Sequence, residues 1–513
     1  ISCVLLHALV YSSENKESDV NWLTQLSEGN INEVTLKEFA EKKELKPLSK
    51  LPATASLIAW LIISHHRIPN FSTNISKTRS NYLGESASHY TSIFHQIRQN
   101  WGYKNHYDEK EYKQRINDCF DFQNGLISDS KKWLRQVKRW AKKLLDCQSL
   151  IEKSLTDGTW RLILHHSRLC LMLGDHHYSS KEADKNWQNV VDLYANTDRV
   201  TKQFKQKLDE HLVGVAKYAL KTTQLLPAFE NSPPKAMDIQ SLKKASPKKF
   251  KWQDKAVAQI RKYKTDSNKK RQGFFAVNMA STGCGKTYAN AKVMQALSDD
   301  GESLRYVLAL GLRMLTLQTG DEYLDRIGLN NDELAILIGS KAVMDLHKQA
   351  INTDDGTGFE QAGSESEEFL IDEEIDYDCD IPEEGLATVL TQEKDRKFLY
   401  SPVLVCTIDH LMAATETKRG GKYILPCLRL MSSDLVIDEI DDFTGSDLIA
   451  IGRLIHLAGM LGRKVMISSA TIPPDLAEGY FNAYREGWQL FSKSREACSS
   501  IACVWIDEYK TQL

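Results

Sequence analysis

The chain has 513 residues, 42% of them hydrophobic and 26% charged, with a formal net charge of −2. At about 100–200 residues per domain that length holds three or so domains with cores of their own, and the near-neutral total excludes a uniformly basic or acidic protein. The ten cysteines are scattered without a Cys-x-x-Cys pair, which points to a reduced, cytoplasmic setting. The apolar run Cys3 to Tyr11 is far too short to span a bilayer and has no charged leader, so neither a membrane partner nor a signal peptide is expected. The start at Ile1 and the stop at Leu513 carry no terminal signal, and both ends are expected to be cut.

Residues 1–230 read as mostly α-helical. Apolar positions recur at three and four in Leu57, Ile58, Leu61, Ile62 and in Leu162, Leu164, Leu169, Leu171, Leu173. Three histidine groups punctuate this half: His65-His66, His165-His166 and Asp175-His176-His177. Neutral imidazole with carboxylate suits divalent first-row metals where helix ends converge, whereas a single such doublet is usually a hydrogen-bonded core or surface pair. Between the groups, Lys131 to Lys143 forms an amphipathic basic helix whose Trp133 and Trp140 share a face with Val137. Core-facing tryptophans under a solvated basic back is the plain reading, and a phosphate-contacting surface the sharper one.

Ser232-Pro233-Pro234 marks a break, after which Lys and Arg accumulate from Lys243 to Arg271. This places a basic linker over 231–272. From 273 the pattern turns α/β, with β-rich runs at Phe274–Asn278, Tyr306–Leu310, Val403–Thr407, Leu435–Asp438 and Val465–Ser468. Helical runs separate most of them, which predicts a parallel, doubly wound sheet. Asp354 to Glu384 holds fourteen acidic residues and no Lys or Arg, and reads as an inserted acidic loop.

The chemistry sits in the α/β half. Met279–Thr287 reads Met-Ala-Ser-Thr-Gly-Cys-Gly-Lys-Thr between a strand and a helix, the context of a phosphate-binding loop, with Ala280 where the usual pattern has glycine. Ser281, Thr282, Gly283, Cys284 and Gly285 would offer backbone N–H groups to phosphates at a helix N-terminus; Lys286 would reach the β- and γ-phosphates and Thr287 would hold Mg²⁺. Leu435–Asp441 ends a strand in Asp438-Glu439, which would hold Mg²⁺ through water and orient the attacking water, respectively. Gln253, some thirty residues upstream, could recognise adenine beside an aromatic residue. Arg313, Thr316, Gln318 and Thr319 follow the second strand as donors for nucleic-acid phosphates, and Ser469-Ala470-Thr471 follows the last.

In this order the segments resemble the first RecA-like lobe of a superfamily 2 helicase: Gln253 as the adenine motif, Ala280–Thr287 as motif I, Arg313–Thr319 as motif Ia, Asp438–Asp441 as the DExD/H box and Ser469–Thr471 as motif III. The helical half resembles the HD-type metal phosphohydrolases. Together they are similar to the helicase–nuclease of type I CRISPR–Cas systems. The phrases Ser64–Pro69, Leu173–Ser180, Ser281–Thr287 and Asp438–Phe443 resemble subtype I-F, whose members are naturally fused to Cas2. The resemblance implies a helical nuclease domain over 1–230, the linker over 231–272 and a helicase lobe over 273–513 with an acidic insertion at 354–384. It implies ATP- and Mg²⁺-driven 3′→5′ translocation on single-stranded DNA coupled to cutting. One or two divalent transition-metal ions (such as Mn²⁺, Fe²⁺, Co²⁺ or Ni²⁺) would serve the cutting site. By the same resemblance His65 or His66 and Asp175 are metal ligands, and His165 and His166 could match the family's histidine doublet. Implied partners are an RNA-guided I-F surveillance complex, the spacer-integration proteins Cas1 and Cas2, and a phage-encoded inhibitor. Residues 1–230 contain no His-Asp dipeptide and no second RecA-like lobe follows Ser469–Thr471, so the missing pair is expected upstream and ATP turnover by this stretch alone is expected to be poor. Two other readings stay open on the residues: a superfamily 2 translocase without nuclease activity, and a nucleotide-switched scaffold.

Overall fold

The computed structural model describes residues 2–13, 17–41, 51–66, 68, 109–118, 125–188, 191–198, 200–201, 203–265, 272–338, 386–416, 420–495 and 497–513. The acidic stretch 354–384, with Arg67 and Pro69, lies outside them. Two compact units result. One comprises Ile1–Gln224 with Glu384–Thr388 and Lys418–Gly421; the other comprises Leu225–Glu383, Val389–Thr417 and Lys422–Leu513.

The first unit is helical. Helices Ser2–Tyr11, Asp19–Glu28, Ala53–Ser64 and Lys131–Asp146 share a core built on Leu5, Trp22, Leu23, Ala55, Ala59, Ile63 and Ala141. Ala53–Ser64 is pinned at both ends by residues from other helices. At its start, the Asp19 carboxylate accepts from the backbone N–H groups of Thr54 at 2.8 Å and Ala55 at 3.2 Å. At its end, buried Arg168 donates from Nη2 and Nε to the Ser64 carbonyl at 2.9 and 3.1 Å. An acid at the positive end and a cation at the negative end both complement the helix dipole. Helix Trp160–Ser180 also lies against helix Leu208–Asn231. The two backbones come so close at Gly174 that a Cβ there would stand 2.7 Å from Ala219 N and 2.8 Å from Val215 O, a position only glycine can fill.

The second unit is built on an eight-stranded sheet. Its strands are β1 (Gly273–Asn278), β2 (Tyr306–Leu310), β3 (Leu334–Leu337), β4 (Val403–Thr407), β5 (Asp434–Asp438), β6 (Val465–Ser468), β7 (Ile501–Ile506) and β8 (Thr511–Gln512). They lie in the order β3-β4-β2-β5-β6-β1-β7-β8. All neighbours are parallel except the hairpin β7–β8. β1, β2, β4 and β6 are buried along their whole length, as strands covered on both faces must be, and this is why they read as unbroken apolar runs. The β7–β8 hairpin is a departure from the expected purely parallel sheet.

The stretch read as a basic linker is largely structured. It contains helix Lys251–Thr265, which buries Trp252, Ala256 and Ile260 in the sheet unit's core; this three-residue stripe at steps of four is masked in sequence by the lysines around it. On the far side of the sheet unit, fully buried Arg429 donates to the carbonyls of Phe398, Leu399, Ser401, Pro402 and Tyr306 at 2.5–3.2 Å, and so ties the end of helix Glu393–Tyr400 to β2. Arg429→Met would leave Leu399 and Ser401 to Arg305 and Pro402 to the Tyr306 N–H, but would take the guanidinium from the Phe398 and Tyr306 carbonyls, and is expected to destabilise the unit by about 1–3 kcal/mol. Urea unfolding followed by tryptophan fluorescence checks this, and an unchanged midpoint would show the carbonyls to be satisfied otherwise.

Candidate functional site

Two clusters of reactive side chains stand out, one in each unit. In the sheet unit, the turn after β1 carries left-handed glycines at Gly283 (φ 75°) and Gly285 (φ 77°), as a loop folding its N–H groups inward requires. Helix Lys286–Leu297 starts directly from it. Space around Gly283 is open, whereas a Cβ at Gly285 would meet Gln253 Nε2 at 2.9 Å and the Phe250 ring at 3.4 Å. Buried Gln253 donates from Nε2 to the Gly285 carbonyl at 3.1 Å and accepts from Ser246 Oγ at 3.1 Å. In this state Gln253 braces the loop, while its amide keeps a second N–H and a second carbonyl lone pair. Ser281, Thr282 and Gly283 are exposed, and Cys284 and Thr287 half-buried.

Lys286 is 7% exposed, with its ammonium 3.2 Å from Glu439 Oε1 and 3.3 Å from Oε2. Glu439 holds a left-handed backbone (φ 48°, ψ 53°) immediately after β5. A non-glycine residue there costs of order 1–3 kcal/mol, strain of the kind found at functional turns. Asp438 lies one residue earlier, in register with Ser468 of β6, which is itself in register with Asn278 of β1. Asn290, one turn into the helix after Lys286, donates from Nδ2 to Ser468 Oγ at 3.1 Å and to Asp438 Oδ2 at 3.4 Å, and accepts from Asn278 Nδ2 at 2.7 Å. Burial pushes the Asp438 carboxyl up to about 6; neighbouring Glu439 adds to this, while Ser468 and Lys286 oppose it. The hydroxyls of Ser469 and Thr471 both donate to the Asp441 carboxylate.

One residue here had no sequence signal. Glu508, in the β7–β8 turn, accepts from the Ser281 backbone N–H at 3.1 Å and from its hydroxyl. A carboxylate thus rests on the first N–H of the loop. Further along, Arg313–Glu322 is a helix in which Thr316 is fully buried and donates to the Leu312 carbonyl at 2.9 Å, leaving no hydroxyl for a nucleic acid. Gln318 is exposed and Thr319 half-buried, while the side chain of Arg313 is outside the described set.

The helical unit brings together His65, His66 and Asp175, with a ligand atom from each within 4.8 Å of the others. The histidines follow the Arg168-capped end of Ala53–Ser64, and Arg168 and Asp175 lie two turns apart on one helix. The same contacts that fix the helix end therefore bring the doublet to the carboxylate. His65 Nδ1 lies 2.6 Å from the Ile62 carbonyl. A carbonyl accepts, so that nitrogen carries the proton and Nε2 presents its lone pair. Burial is the main force lowering His65 to about 4, which keeps the imidazole neutral, as a metal ligand must be. Burial alone would raise Asp175, but His211, His66 and His65 outweigh it and hold the carboxyl below its usual value.

His211 is the second residue sequence reading missed. Its Nε2 lies 3.2 Å from Asp175 Oδ1 and its Nδ1 2.9 Å from Gln206 Oε1. It comes from helix Leu208–Asn231, brought within reach by the close approach at Gly174. A lone histidine after Glu210 gives no hint of this. His165 and His166 are on the Asp175 helix but do not join the cluster; burial holds His165 neutral, at about 3.

No family model matches the chain. A protein of Pectobacterium atrosepticum named CRISPR-associated nuclease/helicase Cas3 subtype I-F/YPEST is 39% identical over 511 residues, covering 97% of this chain and 46% of that protein. Its namesake from Pseudomonas aeruginosa is 37% identical, over 98% and 44% respectively. Over most of its length, then, the chain is similar to Cas3 of subtype I-F/YPEST. It spans about half the length of the Cas3 proteins it matches. Solved structures aligned over 94% of the chain include T. fusca Cas3-ATP, at 14% identity, TM-score 0.36 and 47% of that chain. A CRISPR RNA-guided surveillance complex in its pre-nicking state aligns at 13% identity, TM-score 0.31 and 47% of that chain. Among the described residues no helix is long and apolar enough to cross a membrane.

Proposed function

We propose that the chain is the nuclease and first motor lobe of a CRISPR interference enzyme, an ATP-dependent translocase on single-stranded DNA coupled to metal-dependent cutting of that strand. The observation that carries the motor reading is the Lys286–Glu439 pair, formed between the loop after β1 and the strained turn after β5. When ATP binds, Lys286 exchanges Glu439 for the phosphates, the N–H groups of 282–287 turn to the same anion, and Glu439 is released to take the proton of an attacking water. Thr287 and Asp438 would hold Mg²⁺, whose charge would neutralise that of the phosphates. Asp441, gripped by Ser469 and Thr471, joins the acidic turn to the end of β6. In the helical unit, His65, His66 and Asp175 form a nitrogen–nitrogen–oxygen donor set that suits a divalent transition metal. When bound, that metal would supply water activated against a phosphodiester.

The resemblance to subtype I-F makes recruitment by an RNA-guided surveillance complex and association with Cas1 and Cas2 part of the proposal, as is a cytoplasmic setting. Copurification with these partners tests it: loss of recruitment would reduce the chain to a free translocase. Glu508 supplies a test of the loop itself. Because its carboxylate rests where a phosphate would arrive, Glu508→Gln is expected to tighten a fluorescent ATP analogue about threefold to tenfold, a small effect because the contact is exposed and screened. Weaker binding in that variant would mean that Glu508 supports the loop instead of competing for it.

A further inference from the structure

Helix Lys131–Asp146 has two faces with different fates. Ala141 is buried, and Trp133, Val137, Leu144 and Leu145 pack against the helical core, so the apolar face is already used. The other face carries Lys131, Lys132, Arg135, Arg139, Lys142 and Lys143, all exposed. They recur at three- and four-residue steps, forming one stripe about 18 Å long. The helix's one acid is Asp146, at its last position. Two aromatic rings flank the stripe: Lys132 stands 4.0 Å over Trp187, and Lys143 stands 4.6 Å from Trp140. Among the described residues none of these six cations forms an ion pair.

The stripe is also connected to the metal cluster. Ser130, which caps the helix, donates to Asp209 Oδ2 at 2.6 Å, and Trp187 Nε1 donates to the same oxygen at 2.8 Å. Asp209 is two residues from His211, which holds Asp175. The amino end of the stripe is therefore fixed to the helix that positions the metal-binding carboxylate. A membrane surface does not fit, because Trp133, Val137, Ala141, Leu144 and Leu145 are already packed on the helical core and are not free to insert.

We propose that this stripe is a binding surface for the phosphate backbone of single-stranded DNA, holding the strand beside the His65–His66–Asp175 cluster; this rests on the nuclease reading above. Cations at helical spacing with flanking indole rings fit a flexible strand, whose phosphates and bases can adapt to both. The charge is independent of sequence, so binding is uniform across base composition.

The test is Lys131→Gln, Arg135→Gln and Lys142→Gln together, three exposed changes whose effect on folding is checked by thermal melting. Binding of a fluorescent oligothymidylate is followed by anisotropy across a salt series, without divalent metal so that no cutting occurs. Neutralising three contacts is expected to lower the slope of log affinity against log salt by about 2. The charge-keeping variant Lys131→Arg, Arg135→Lys, Lys142→Arg is expected to retain the parent slope. A parent protein that binds and a triple-glutamine variant of equal affinity and slope would overturn the surface alone. A parent that fails to bind the oligonucleotide would overturn both the surface and the DNA reading. A duplex losing affinity in the variant while the single strand does not would also overturn the proposal, in favour of double-stranded DNA.

Discussion

Replacing Asp175 with alanine is expected to abolish metal-dependent cutting of single-stranded DNA and to leave nucleotide binding at Lys286 as it was. Asp175 is 7% exposed and is the sole carboxylate of the cluster, beside the imidazoles of His65 and His66. Without it the donor set loses its only charge, and affinity for a divalent ion should fall by more than about 100-fold, since even outer-shell changes cost 10–100-fold. Calorimetric titration with Mn²⁺ and a cleavage assay on labelled oligonucleotide read the two effects separately. The variant also removes the acceptor of His211, so a melting curve is needed to separate loss of the site from loss of the helix pair. Asp175→Asn keeps the shape and removes the charge, and should fail in metal binding while melting nearer the parent. Cutting by Asp175→Ala at the parent rate would remove this cluster from the reaction.

In a chain that also carries a second RecA-like lobe, Glu439→Gln should lower ATP hydrolysis by at least about 100-fold, the lower end of what a positioned base contributes. Nucleotide binding should not suffer with it. The amide keeps the length of the side chain and the strained left-handed turn, but no longer holds the Lys286 ammonium as an ion pair. Lys286 then meets incoming phosphates without a competing carboxylate, and ATP affinity is expected to hold or rise. Steady-state phosphate release and equilibrium binding of a fluorescent analogue, measured on the same preparation, check the split. Undiminished hydrolysis would favour the reading in which the nucleotide only switches a scaffold.

Legibility in sequence followed burial. β1, β2, β4, β5 and β6 were readable as apolar runs because both faces of the sheet are covered there. β7 was not, because its residues alternate between buried and accessible, up to exposed Trp505. Helix Lys251–Thr265 was hidden by its own lysines, whose charge outweighed a short buried stripe. At the sites, residues in a local motif could be named, Lys286 and Asp438-Glu439 among them. Residues recruited across the fold could not: His211 reaches Asp175 from 36 positions away, and Glu508 reaches Ser281 from 227. Asn290 carries no motif signal in sequence, yet it links β1, β5 and β6 to the helix after the loop. Thr316 shows the opposite failure, since a hydroxyl at a motif position was assigned to a ligand and the helix uses it internally.

The row formed by Asn278, Ser468 and Asp438, locked by Asn290, has a mechanical meaning. Three strands and a helix are riveted at the level where chemistry would occur, by groups that are all 3% exposed or less. Pulling any one away would leave a buried polar atom stranded, so these elements open together as one cooperative unit or not at all. Compliance is left to the rim, in the exposed turn 281–283 and in the β7–β8 turn that carries Glu508. On the motor reading, a nucleotide arriving at Ser281 would meet those two turns first, above a floor held together by its buried polar row.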